Sequence, residues 1–308
     1  MALLLTPIFG KAEEWQKLFA AEMPELDLRI WPDAGNPGDI EVAAVALMPP
    51  GKLKAFPNLR LIVSLTAGAE GLLRDPELPD VPIARSGDPD GDAMMNEAAL
   101  LHVLRHHRHL PAYAAAQLRS EWISLPRLRA RERKVGVMGL GAIGLAAAKT
   151  LARYGFTTAG WVRSPRAGDG IEIFAGREQL PAFLARSEIV VNFLPLTAET
   201  TGILNAQAFA QMPKGAAIVN LGRGPHVVEA DLMAALDSGQ LAGATLDVFP
   251  VEPLPKESPL WRHPGITVIP HASRRIAPRD LVPRVADAVR RLRSGEPQLA
   301  LIDRKRGY

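Results

Sequence analysis

Residues 134–144 read Lys134-Val135-Gly136-Val137-Met138-Gly139-Leu140-Gly141-Ala142-Ile143-Gly144, and the interpretation of this stretch decides the fold. Val135 to Met138 is a short apolar run of the kind that forms a buried strand. Three glycines follow as Gly139-x-Gly141-x-x-Gly144, and an alanine-rich helical pattern then runs from Leu145 to Tyr154 and stops at Gly155. Glycine spacing alone is a weak signal, because glycine is common in loops. It acquires meaning between a strand and a helix start. There Gly139 permits the tight turn, Gly141 lets backbone approach a pyrophosphate, and Gly144 lets helix and strand pack closely. The phosphates would rest on free N–H groups at the positive end of the helix. The stretch therefore predicts dinucleotide binding.

Moving outward, Thr157 to Val162 is the second strand of this unit, and it ends in Arg163-Ser164-Pro165-Arg166. An acidic residue here would bind the ribose hydroxyls of NAD. The segment has none. Arg163, Ser164 and Arg166 offer positive charge and a hydroxyl, which suit the 2′-phosphate of NADP. The expectation is NADP preferred, with NAD possible; an ordinary exposed Arg-Ser-Pro turn is the bland alternative.

Upstream, apolar runs at 2–8, 26–30, 42–48, 61–65 and 81–85 read as strands, with a helix over 13–21 and a small-residue loop at Thr66-Ala67-Gly68-Ala69-Glu70-Gly71. Downstream, strands are expected at 189–194, 216–220, 243–248 and 266–269, between helices at 178–185, 206–211 and 229–238. Such alternation implies parallel α/β sheets. Residues 93–113 form one long helical pattern carrying His102, His106, His107 and His109. Metal binding is disfavoured, because Arg105 and Arg108 sit among them and no acidic ligand flanks them; a polar face or subunit contact is the expectation. Residues 118–133 look irregular and amphipathic, suited to packing on another subunit.

The chain has 308 residues, room for two domains, and 47% apolar residues with a net charge of +3. That excess suits anionic small molecules and is too small to argue for nucleic acid. Without cysteine there is no disulfide, thiolate catalysis or cysteine metal site. The basic end, Arg304-Lys305-Arg306, reads as solvated. No convincing signal peptide and no membrane-length apolar run is present, so the expected location is the cytoplasm, away from membranes.

Three predicted strands end in special residues: Asn220-Leu221-Gly222-Arg223-Gly224, Asp247-Val248-Phe249-Pro250-Val251-Glu252-Pro253, and Pro270-His271. In open parallel sheets ligands sit at the carboxyl ends of strands. A 2-oxo acid accepting hydride becomes an alkoxide and needs a proton, and His271 is the natural donor. Glu252 is the candidate carboxylate to fix the tautomer of His271. Arg223 can fork onto the substrate carboxylate and polarise the carbonyl. Each has a bland reading alone, as a turn arginine, a loop glutamate and a capped loop histidine. Their joint placement after the dinucleotide motif gives them weight.

The chain resembles the D-isomer-specific 2-hydroxyacid dehydrogenases through Val137–Gly144, Leu194-Pro195-Leu196-Thr197-Ala198-Glu199-Thr200, Val219–Gly224, Leu246–Leu254 and Ile269-Pro270-His271-Ala272-Ser273. Trp161-Val162-Arg163-Ser164 adds a likeness to the glyoxylate/hydroxypyruvate reductases of that family. The resemblance implies two doubly wound Rossmann-like domains with a cleft between them. It implies a substrate-binding domain of 1–94 plus 280–308 and a dinucleotide-binding domain of 95–279. It implies that Arg223, Glu252 and His271 are catalytic. It places Gly139, Leu140, Gly141, Ala142, Ile143, Thr200, Leu221, Gly222 and Ser273 at the cofactor, with Leu194, Pro195 and Asp247 beside the nicotinamide. Ala67 and Gly68 would offer N–H groups to a small anionic 2-oxo or 2-hydroxy acid, and the protein would be a homodimer joined through the cofactor domain.

The sequence departs from the family at Thr66–Gly71, where an extra glycine and an Asp are commoner, and at Arg274-Arg275 after Ser273. Arg274 is therefore a candidate for substrates with a second polar or anionic end, or a surface arginine. Competing functional readings are a dinucleotide-sensing interaction protein, like the corepressor branch, and the same fold oxidising formate, phosphite or phosphoglycerate. Those oxidising branches generally use NAD, against which Arg163-Ser164 argues.

Overall fold

The computed structural model describes residues 1–7, 10–46, 48–66, 68–86, 93–168, 170–274 and 277–304. The chain divides into two compact units, Met1–Pro89 with Arg275–Tyr308, and Asp90–Arg274.

The first unit contains β1 (Ala2–Leu5), α1 (Ala12–Glu22), β2 (Asp27–Ile30), β3 (Ile40–Val45), β4 (Leu61–Ser64), α2 (Glu70–Leu73) and β5 (Ile83–Arg85). The strands form one parallel sheet in the order β2-β1-β3-β4-β5. β1 and β4 are buried at every position and β3 at all but one. Both sheet faces are covered, which is why these strands read as continuous apolar runs. Trp15 and Phe19 of α1 pack on one face together with Leu281, Val285 and Val289 from a helix near the end of the chain, Pro278–Ser294. Leu53, Phe56, Leu72 and Ile302 cover the other. Arg304, expected in a solvated tail, instead donates to the Pro79 and Val81 carbonyls at 2.5 and 2.6 Å. Lys305 and Arg306 lie outside the described residues.

The second unit contains α3 (Ala93–His107), α4 (Leu110–Leu118), β6 (Lys134–Met138), α5 (Ala142–Tyr154), β7 (Thr157–Val162), β8 (Glu172–Ala175), α6 (Leu180–Arg186), β9 (Ile189–Asn192), α7 (Ala206–Gln211), β10 (Ala216–Asn220), α8 (Glu229–Asp237), β11 (Leu241–Leu246) and β12 (Ile266–Val268). The helix Pro278–Ser294 that returns to the first unit is α9. All seven strands are parallel, in the order β12-β11-β10-β9-β6-β7-β8. The winding direction reverses between β6 and β9, and such a switch point opens a crevice at the carboxyl ends of its strands.

Two expectations are corrected here. The helix expected over 93–113 is two helices: His109 takes a left-handed backbone (φ +57°), and Pro111 falls in the first turn of α4, where its missing N–H costs nothing. The histidines of α3 do not form an exposed polar face. His102, His106 and His107 are all buried. Room for the His106 ring comes from Gly243, where an added Cβ would lie 3.1 Å from it. β8 went unread because it is an edge strand with no buried position and so lacks a continuous apolar run, and α2 because a single turn shows no helical period.

Candidate active site

At the end of β6, Gly139 has φ +87°, a conformation that side chains rarely adopt. A Cβ on Gly144 would overlap the Gly139 carbonyl oxygen, so helix and turn touch backbone to backbone. A Cβ on Gly141 would meet nothing within 4 Å. Gly141 thus faces open space at the start of α5, where no side chain caps the helix. The first intrahelical donor is Leu145, whose N–H reaches the Gly141 carbonyl at 2.9 Å. The N–H groups of Ala142, Ile143 and Gly144 precede that ladder and form the positive pole of the helix. This cradle fits a pyrophosphate.

Leu140 contributes its backbone only. Its side chain is buried against Gly160 of β7, and its carbonyl accepts from Arg166 Nη1 at 2.5 Å. Arg166 is thereby drawn onto the glycine loop, while Arg163 and Ser164 are exposed at the end of β7.

The ends of β9 and β10 are joined by buried polar side chains. Asn192 Nδ2 donates to Asn220 Oδ1 at 2.9 Å, and Asn192 Oδ1 accepts the Leu194 N–H at 3.1 Å. Asn220 Nδ2 donates to the Arg223 carbonyl at 3.0 Å, and Asn220 Oδ1 accepts the Gly222 N–H at 3.2 Å. These bonds shape the loop that carries Arg223, whose Nη1 donates to the Gly222 carbonyl at 2.8 Å. Leu221 and Gly222 are buried under that loop. The Thr200 hydroxyl donates to the Pro195 carbonyl at 2.7 Å and accepts the Thr197 N–H at 2.8 Å, closing the loop that begins at Leu194.

β11 leads to Asp247, 2% exposed. Its Oδ1 accepts the N–H groups of Ala272 and Ser273 at 2.9 and 3.0 Å, and its carbonyl accepts the His271 N–H at 2.9 Å. This grip holds His271 in the left-handed region at φ +49°, a strain that side chains tolerate when the surroundings over-determine it. Glu252 Oε1 accepts the Phe249 N–H at 2.9 Å, and its Oε2 lies 2.7 Å from His271 Nδ1. Nδ1 is thereby a donor, and Nε2 is left for other work. His271 remains half exposed, as an acid/base group that meets solvent or substrate must.

The loops of Arg223 and Glu252 are in direct contact. A Cβ on Gly224 would overlap the backbone of Phe249 and Pro250, beside the amide that anchors Glu252. The residues Arg223, Glu252 and His271 are thus tied into one strand-end assembly within the second unit. Ser273 Oγ is buried without a hydrogen-bond partner among the described residues, and Arg274 is half buried. In the first unit, Gly68 follows β4 and its carbonyl accepts the Thr66 hydroxyl at 2.6 Å. Ala67 lies outside the described residues.

Two residues of this edge escaped the sequence reading, Asn192 and His226. His226 is wholly buried and binds Asn192, the Arg223 N–H and the Pro195 carbonyl. The available signal was a lone carboxamide closing the apolar run Ile189-Val190-Val191. A polar group there must find partners. Behind the edge, His106 Nε2 lies 3.0 Å from Thr245 Oγ1, and burial pushes its imidazole down to about 4, with Arg105 and His102 acting in the same direction. Burial also holds His102 below the ordinary range, against the opposing pull of Asp247.

Comparison with known proteins matches residues 100–273 to the D-isomer specific 2-hydroxyacid dehydrogenase, NAD binding domain. A glyoxylate/hydroxypyruvate reductase A of Salmonella newport (strain SL254) is 38% identical over 309 residues, 98% of each chain. Among solved structures, a D-isomer specific 2-hydroxyacid dehydrogenase from Xanthobacter autotrophicus Py2, in complex with NADPH and MES, superposes with a TM-score of 0.94 at 44% identity, covering 100% of this chain and 99% of that one. An NADPH-dependent glyoxylate/hydroxypyruvate reductase from Sinorhizobium meliloti, in complex with NADP and sulfate, gives 0.92 at 35% identity with 100% of both chains covered. Similarity of this extent, on a strand edge whose glycine turn has room for a pyrophosphate, shows that the chain belongs to the D-isomer specific 2-hydroxyacid dehydrogenase family.

Proposed function

We propose that the protein, an NAD(P)-dependent 2-hydroxyacid dehydrogenase by family, works as an NADPH-dependent reductase of small 2-oxo acids of the glyoxylate or hydroxypyruvate type, forming the D-2-hydroxy acid. The observation that carries this reading is the Glu252–His271 pair at 2.7 Å, anchored through Phe249 to the loop of Arg223. Held at the glycine turn, NADPH would supply the hydride for the carbonyl carbon. Arg223 holds the substrate carboxylate and draws electron density onto the carbonyl oxygen. His271 gives its Nε2 proton to that oxygen, and the carboxylate of Glu252 stabilises the imidazolium before transfer and fixes the neutral tautomer after it. In the oxidative direction the same nitrogen takes the proton back.

The dinucleotide would lie with its pyrophosphate on Gly139–Ile143 and its 2′-phosphate toward Arg163, Ser164 and Arg166. Leu194, Pro195, Thr200, Leu221, Gly222, Asp247 and Ser273 would border its nicotinamide half, where a carboxamide would give Ser273 Oγ a partner. Ala67, Gly68 and Arg274 are proposed to contact the acid. Residues 95–279 are the proposed dinucleotide-binding domain, and 1–94 with 280–308 the substrate-binding domain. No helix among the described residues is long and apolar enough to cross a membrane. The second unit exposes Leu101, Leu110, Leu118 and Trp122, the last two almost completely, and these side chains are proposed to take part in a homodimer contact.

The deciding experiment follows loss of NADPH absorbance with glyoxylate and hydroxypyruvate. Turnover of both acids, with the D product from hydroxypyruvate and with rates strongly reduced with NADH, is expected. Tight NADPH binding without turnover on any small 2-oxo acid would overturn the reading in favour of dinucleotide sensing.

A further inference from the structure

His226 is fully buried and touches no proposed reacting atom, yet both its ring nitrogens are engaged. Nδ1 accepts the Arg223 N–H at 3.1 Å and lies 2.8 Å from Asn192 Nδ2. Two N–H donors converge there, so Nδ1 carries no proton. Nε2 lies 3.2 Å from the Pro195 carbonyl, which only accepts, so Nε2 carries the hydrogen. The network thus assigns a neutral ring with a donor at one end and an acceptor at the other. One end grips the loop after β10, the other the loop after β9. The fit is tight: a Cβ on Gly222 would lie 3.1 Å from His226 Nδ1 and 2.9 Å from Asn192 Nδ2.

We infer that His226 is a positioning residue, a two-ended brace that sets the Arg223 loop against the Leu194–Pro195 wall and so couples the substrate anchor to the nicotinamide side of the site. This rests on the reading that Arg223 binds the oxo acid and Pro195 borders the cofactor. Histidine suits the task because its acceptor and donor are held on opposite sides of one rigid ring. Backbone bonds from Gly202 to Pro225, Leu204 to His226 and Val228 to Leu204, at 2.8–3.0 Å, pin the segment independently.

The test separates the two ends. In His226→Gln an amide nitrogen can reach the Pro195 carbonyl, but no acceptor remains at the Nδ1 position. In His226→Asn the carboxamide oxygen takes the Nδ1 position, but the Pro195 bond is lost. Both variants, with Arg223→Ala as control, are assayed by varying NADPH and glyoxylate separately, alongside NADPH binding by fluorescence and Tm. We expect His226→Gln to lower kcat/KM for glyoxylate by about tenfold to a hundredfold, as for a buried donor left unmade. Its NADPH affinity should stay near wild type. His226→Asn should show the opposite split, weaker NADPH binding with glyoxylate kinetics largely kept. Equal losses in both parameters that track Tm, or wild-type kinetics in both variants, would overturn the brace. Should Arg223→Ala leave glyoxylate kinetics intact, the substrate role of Arg223 fails instead. The brace then stands or falls on histidine nitrogen NMR at the assay pH: His226 must show a protonated Nε2 and a bare Nδ1, and the other tautomer or a doubly protonated ring refutes it.

Discussion

The two units are built on one plan and differ at one edge. Each is a wholly parallel sheet with a reversal of winding direction, at β1/β3 in the first and β6/β9 in the second. Among the described residues, the buried polar side chains of the first unit are Thr6, Ser64 and Ser86, all hydroxyls. Those of the second include Asn192, Asn220, His226, Asp247, His102 and His106. Burying a carboxylate or imidazole costs several kcal/mol unless partners are built for it, and those partners serve no packing purpose. A fold needs strands and apolar faces, which both units have. Chemistry needs oriented polar groups held dry, and among the described residues only the second sheet carries such a set at its carboxyl edge.

The contrast can be broken by substitution. The largest effect is expected for His271→Ala, which should lose kcat by ~10²–10⁴, the range of general acid–base catalysis, with Tm almost unchanged. A loss below about tenfold would remove the chemical meaning of that edge.

The next effect is on stability and pH. The unfolded chain protonates His106 near 6.5, the folded protein only near 4. Between those values the unfolded state binds more protons, so stability falls as pH drops through 6.5 toward 4. The difference is worth roughly 3 kcal/mol, and burial of His102 and His107 acts with the same sign. Urea unfolding at neutral pH and near pH 4.5 should show the loss, and His106→Gln should flatten it. An unchanged slope in that variant would mean that the ring charges at no cost.

A smaller effect is expected at the end of β7. Ser164→Asp places a carboxylate where the 2′-phosphate would sit. It should lower the NADPH-to-NADH ratio of kcat/KM by about tenfold, equivalent to ~1.4 kcal/mol, in side-by-side kinetics. No change in the ratio would move the 2′-phosphate elsewhere.

The smallest is the counterpart in the first unit. Ser86 Oγ donates to the Ser64 carbonyl at 2.8 Å, and Ser86→Ala should cost about 1 kcal/mol in urea unfolding while kcat stays as in the wild type. A fall in kcat would show that the polar groups of the two edges are not so different after all.

Much of this was legible in the linear chain. The glycine spacing at 139–144 declares a strand–turn–helix because only glycine tolerates φ +87° at Gly139 and the backbone contact at Gly144. Buried parallel strands declare themselves as apolar runs, since neither face meets water. That Arg223, Glu252 and His271 share one edge was readable because parallel strands put their carboxyl ends on one side. The break at His109 was readable from Pro111, which suits a first helical turn and not a helix interior, whereas β8 and α2 were not, because an edge strand and a single helical turn carry no distinctive local pattern.

What residue order determined, then, was the fold class, the dinucleotide turn and the candidate acid, anchor and support, all written as local patterns tied to backbone geometry. What only the tertiary structure decided was partnership. Asn192 and His226 are 34 residues apart and meet at 2.8 Å, and Asp247 reaches across 26 residues to hold the turn after His271. A buried polar side chain has meaning only through the group it faces, and that group is chosen by packing rather than by spacing in the chain.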